Sequence, residues 1–166
     1  MAERQERTAP DAVLTRIGQV VMLHHAGDRE EARRRLLDLW TEIGEHGEPL
    51  HRCTLAHYLA DTQDDPSDEL AWDLRALSAA DEAEGAVGLR GFYPSLHLNL
   101  AADYVKLGRS EAARSHLHRA RGAAAALGDD GYGDGVRAAI SRLELRLDDD
   151  GDPGSDSWGP PRQRPK

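Results

Sequence analysis

The residues of this chain best suited to chemistry are Cys53, His57 and Asp61, which follow at i, i+4 and i+8 and so share one face of a helix. Thiolate, imidazole and carboxylate all bind zinc, but a tetrahedral site needs ligands converging from a second element. Without them the trio reads as a packed cysteine beside solvated polar groups. A Cys53–His57 nucleophilic pair lacks an orienting third group and an oxyanion hole. His24-His25 and His116-x-His118 are adjacent or two apart, spacings that turn the rings to different sides of a helix, and they read as ordinary surface or groove residues. Gly131-x-Gly133-x-Gly135 has the composition of a phosphate loop, yet no strand precedes it and its third spacing is wrong for a dinucleotide fingerprint. Asp148, Asp150 and Asp152 open like a calcium loop, but Pro153 stands where glycine is required and no glutamate closes it. These readings leave no catalytic residue, no cofactor and no metal expected.

The elements that position these residues are helical. Val13, Leu14, Ile17, Val20, Val21 and Leu23 recur with helical spacing up to a stop at Ala26-Gly27. Asp28 with Glu31 three residues on forms an aspartate version of the capping box, and Ala32, Leu36, Leu39, Trp40 and Ile43 make the stripe of a second helix that ends at Gly44 and Gly47. A third helix is expected from about Glu48 to Asp61. Asp65-Pro66 then starts a fourth, to about Ala83, because proline at the first helical position forfeits no hydrogen bond. Leu96, Leu100, Ala101, Tyr104 and Val105 define a fifth helix closed by Gly108, and a sixth runs from Ser110 to Leu127. The span Gly128 to Gly135 reads as a flexible break before a last amphipathic helix through Val136, Ile140, Leu143 and Leu147. Residues 1–9 read as a frayed leader, residues 10–147 as the folded domain, and residues 148–166, charged and rich in Pro and Gly, as a disordered tail.

Only 5% of residues are aromatic and β-branched types are scarce, which argues for helices held by many small contacts and against a β-sandwich or barrel. A formal net charge of −9 repels phosphate backbones, so nucleic acid is a poor candidate ligand. The basic residues are almost all arginine, a bias that resembles proteins of high-GC bacteria. A single cysteine rules out an internal disulfide framework, the N-terminal stretch lacks the apolar run of a signal peptide, and no run is long enough to span a bilayer. The expected location is the cytoplasm, with no membrane partner.

An apolar helix, a polar turn and an alanine-led second helix return about every 40 residues, the mark of a repeat array. In the third unit Leu100-Ala101-x2-Tyr104, Gly108 at the turn, Ala113-x3-Leu117 and Ala120 stand at the relative spacings of the tetratricopeptide repeat, with His97 at its tryptophan position. The first unit offers Val20, Leu23, Gly27, Ala32 and Leu36. The second fits with a turn about two residues longer, pairing Leu55-Ala56-x2-Leu59 with Leu70-x3-Leu74 and Leu77. The chain thus resembles a small bacterial tetratricopeptide repeat protein. Armadillo and HEAT arrays also have periods near 40, and an all-α superhelix is common to all three.

The resemblance implies a right-handed superhelix of three hairpins plus a C-terminal capping helix, with the first helix of each unit lining a concave groove. Family register places Ile17, Val21, His24 and His25 there from the first unit, Cys53, His57 and Asp61 from the second, and Leu98, Asn99, Ala102, Val105 and Lys106 from the third. In the family an asparagine at the place of Asn99 often bonds a bound peptide's backbone or terminal carboxylate. The function this implies is non-enzymatic binding of a partner protein's peptide or helix. The alternative is a regulatory or sensing domain whose groove takes a small ligand or its own tail. Pairing with a second copy of the chain stays open.

Overall fold

The computed structural model describes residues 11–83 and 87–151. They form seven α-helices and one 3₁₀ helix, with no strand among the described residues: α1 (Ala12–His25), α2 (Arg29–Ile43), α3 (Pro49–Asp61), α4 (Pro66–Glu82), the 3₁₀ helix Val87–Phe92, α5 (Tyr93–Lys106), α6 (Ser110–Ala124) and α7 (Gly131–Gly151). Each helix packs on the next, and α1 also meets α3 as α5 meets α7. Among the described residues no helix is long and apolar enough to cross a membrane.

Side-chain caps account for three of the seven helix starts among the described residues. Asp11 accepts from Val13 N and Leu14 N at 3.0 and 3.1 Å and also bonds His51 Nε2 at 2.7 Å, tying the start of α1 to α3. Asp65 accepts from Ser67 N at 2.7 Å ahead of Pro66. The capping box expected at Asp28 is not made: Asp28 has no side-chain cap bond, and Glu31 is turned to Arg34 and Arg35 instead. The expected break at Gly128 to Gly135 ends at Asp130. That residue caps α7 through Gly133 N at 2.8 Å, and Arg137 holds Leu127 O at 2.7 Å. A Cβ on Gly133 would stand 2.3 Å from Gly128 O, so glycine is what lets this turn close. At its other end α7 continues through Asp148 to Gly151, into the segment expected to be tail, because buried Leu147 docks there and its carbonyl accepts from Arg114. The proposed leader and the rest of the tail lie outside the described residues.

The core is three successive compartments. Ile17, Val20, Ala32, Leu36, Leu39, Leu55 and Leu59 form the first, from α1, α2 and α3. Cys53, Ala56, Ala76, Ala79, Ala80, Leu89 and Leu96 form the second. The third, from α5, α6 and α7, is Ala101, Ala113, Leu117, Ala120, Ala124, Val136, Ile140 and Leu147. Alanine is frequent in the last two because a methyl side chain lets helix backbones approach closely. Trp40 and Trp72 meet edge to face, centroids 5.1 Å apart, and both pack against the first and second compartments.

The α1–α2 and α5–α6 turns are the same object. Gly27 N bonds His24 O and Asp28 N bonds Leu23 O; Gly108 N bonds Val105 O and Arg109 N bonds Tyr104 O. Both glycines have positive φ, 97° and 72°, as the glycine-terminated helix end requires. Counted from the turn, Ala32 matches Ala113 and Leu36 matches Leu117, all buried. The α3–α4 connection lacks the glycine and is four residues, 62–65, against three in the other two. Counted from the caps, the matching positions in α4 are therefore Glu69 and Asp73. This corrects the expected pairing of Leu70, Leu74 and Leu77, since Leu74 is 38% exposed and the inward set of α4 is Leu70, Asp73, Ala76, Ala79 and Ala80.

Candidate functional site

The register shift places two carboxylates where the other hairpins place alanine and leucine. Glu69 and Asp73, one turn apart on α4, meet Asp103 of α5, and one oxygen from each lies within 4.8 Å of the others. Asp73 is 2% exposed and Asp103 1%. No N–H or hydroxyl donor meets either oxygen of Asp103 or Oδ1 of Asp73, so only a proton held by Asp103 itself can bridge it to Asp73 or Glu69. Desolvation raises both carboxyls, Asp73 to about 7 and Asp103 to about 10, with the neighbouring acids adding to the rise in Asp103. Lys106 closes one side, its Nζ donating to both Glu69 oxygens at 2.9 and 3.0 Å.

Beside the trio stands a polar row drawn from α1, α3 and α5. Asn99 Nδ2 donates to His57 Nδ1 at 3.1 Å, joining α5 to α3. Desolvation lowers the His57 pKa, and the nearby Asp61 carboxylate opposes that shift. Asp61 is solvent-exposed, yet the protein around its carboxyl raises its pKa by desolvation, countered by His57, His24 and His25 and reinforced by Glu69. Those residues therefore share one side of the molecule. Of the expected groove residues, His24, His25, His57, Asp61, Asn99 and Lys106 belong to this neighbourhood, although Lys106 and Asn99 are engaged by Glu69 and His57. Val21 and Ala102 are half-buried, and Leu98 and Val105 pack against the third core compartment. Ile17 is a correction: at 1% exposure it sits inside the first compartment and cannot touch a partner, because the α1 stripe that includes it is consumed by α2 and α3.

Cys53 is fully buried and its thiol is pushed up to about 11, so at neutral pH it is neither nucleophile nor thiolate ligand. It does not converge with His57 and Asp61 on a common point. Gly131 to Gly135 form the first turn of α7 and are no phosphate cradle; Asp148 lies on the same helix, and Asp152 and Pro153 of the expected calcium loop lie outside the described residues.

Sequence reading missed Glu69, Asp73 and Asp103, although a signal was present. Asp103 lies three residues after Leu100, and Asp73 three after Leu70 and three before Ala76, each on an otherwise apolar stripe. It also missed that His97 and His116 pair. Their Nδ1 atoms are 3.0 Å apart, and Tyr93, His97, His116 and Tyr104 stack in series along the α5–α6 seam at centroid spacings of 6.2, 5.3 and 5.5 Å. No known protein family, curated protein or solved structure matches the chain.

Proposed function

We propose that this chain is a non-enzymatic interaction module, a superhelix of three tetratricopeptide-like hairpins capped by α7, that holds a basic peptide or helix of a partner protein against α1, α3 and α5. The equivalent turns after α1 and α5, the successive core compartments and the contacts between alternate helices support the repeat reading. The observation that carries the binding reading is the polar row itself: His24, His25, His57, Asp61 and Asn99 from three separate first helices, beside an acidic cluster whose one lysine is already paired. With Lys106 spent on Glu69 and Asp73 and Asp103 buried, the acid this face leaves open is Asp61, which selects lysine or arginine side chains in a partner over a terminal carboxylate.

Fluorescence anisotropy with matched basic and acidic peptides tests this. The basic peptide binds, Asp61→Asn weakens it, and Lys106→Ala tightens it by releasing Glu69. A preference for acidic peptides that falls on Lys106→Ala would reverse the assignment and restore a carboxylate clamp.

A further inference from the structure

We infer that Glu69, Asp73 and Asp103 form a binding site for one hard divalent cation of the calcium, magnesium or manganese class, buried between α4 and α5. The donors are all carboxylate oxygens, with no thiolate or imidazole among them, which is the ligand chemistry of such ions and not of zinc or copper. Ligands about 2.0–2.6 Å from a common ion lie at most ~5 Å from one another, and the trio already meets that limit with ligand atoms all within 4.8 Å. Asp103 supplies the independent sign of a missing partner: it is 1% exposed, directed into the cluster, and met at neither oxygen by a donor from the rest of the protein. A buried carboxylate in that state is destabilised unless a cation or proton meets it.

Charge fits as well. Lys106 neutralises one of the three carboxylates, and a divalent ion neutralises the remaining two. The other group of this type, Asp11, Glu48 and His51, differs in being largely exposed and internally bonded, with Asp11 already spent on two backbone amides and His51. The inference does not depend on the peptide-binding reading, since the trio lies at a helix seam that forms whether or not a partner is present.

The test uses the full chain freed of metal by a chelator, then titrated with calcium, magnesium and manganese ions separately by calorimetry, with thermal unfolding and native mass spectrometry alongside. At a hundredfold excess over Kd one bound ion raises the melting point by roughly 5–10 °C, and the mass increases by one ion per chain. Asp103→Asn and Asp73→Asn abolish both signals while Glu48→Gln leaves them intact. Glu69→Gln, at a partly exposed position, serves as a second variant in which a folding defect is not at issue. No saturable binding of any of the three ions up to about ten times the ~10⁻³ M of the weakest such sites overturns the inference. So does equal binding by Asp103→Asn.

Discussion

Replacing Asp103 by asparagine should stabilise the metal-free protein, an unusual outcome for a fully buried position. The side chain keeps its shape, so no cavity or overlap is created. Two ionised carboxylates no more than 4.8 Å apart would repel by at least about 3.5 kcal/mol at an effective dielectric of 20, and leaving a buried acceptor unpaired costs roughly 1–3 kcal/mol. With its carboxyl raised to about 10, Asp103 avoids the first cost by staying protonated at neutral pH, so the two do not add. The asparagine amide is neutral without having to bind a proton in a buried site, and it offers N–H donors to Asp73 or Glu69. A net gain of about 2 kcal/mol corresponds to a melting point higher by roughly 5–8 °C. Circular dichroism in excess chelator at neutral pH measures it. A fall in melting point with helicity retained would refute the reasoning, because it would mean that Asp103 as an acid is already well satisfied.

Two further outcomes follow from the described geometry. His97, 9% exposed, has its pKa lowered to about 4 by desolvation and by the neighbouring His116 and Arg119, against a smaller opposing pull from Asp81. The neutral ring is thus the folded form: stability is intact above about pH 6.5 and is lost as pH falls toward about 4, by about 2 kcal/mol at pH 5. Urea unfolding at about pH 7 and about pH 5 should show a smaller loss for His97→Phe, which keeps a ring against Tyr93 and His116; an unchanged loss would acquit His97. Gly108→Ala places a side chain at φ 72° with open space around it, so only the backbone objects, by about 1 kcal/mol. Gly122→Ala, equally open but inside α6, should stabilise by roughly 0.5–1 kcal/mol; equal signs for the two in thermal unfolding would contradict the turn assignment.

The helices themselves were readable because their signals are local. Periodic apolar residues, Asp65-Pro66 and the stops at Gly27 and Gly108 act within a turn or two of chain, and the structure places helix ends within two residues of those signals, while the sixth helix, expected to Leu127, ends at Ala124. Errors arose where local chemistry had competing partners. Asp28 looked like a cap, but Glu31 found arginines; the Gly131 to Gly135 run looked like a break, but Asp130, Arg137 and Tyr132 anchor it as a helix start, Tyr132 through Ser95 and Gly91. Of the candidate site, the polar row on α1, α3 and α5 was legible from register, since a helix face is set by position alone.

By itself, the sequence determined the all-helical class, the number of helices and the matching turns of the first and third hairpins, all of which depend on residues a few positions apart. The one-residue difference in the α3–α4 connection, and with it the turning of Glu69 and Asp73 inward against Asp103, was decided by tertiary packing. The apolar stripe of α4 sets Asp73 apart, but nothing within the helix says that this face is covered. Only the approach of α5 removes the water, and that approach joins residues some thirty positions apart whose meeting is a property of how helices stack.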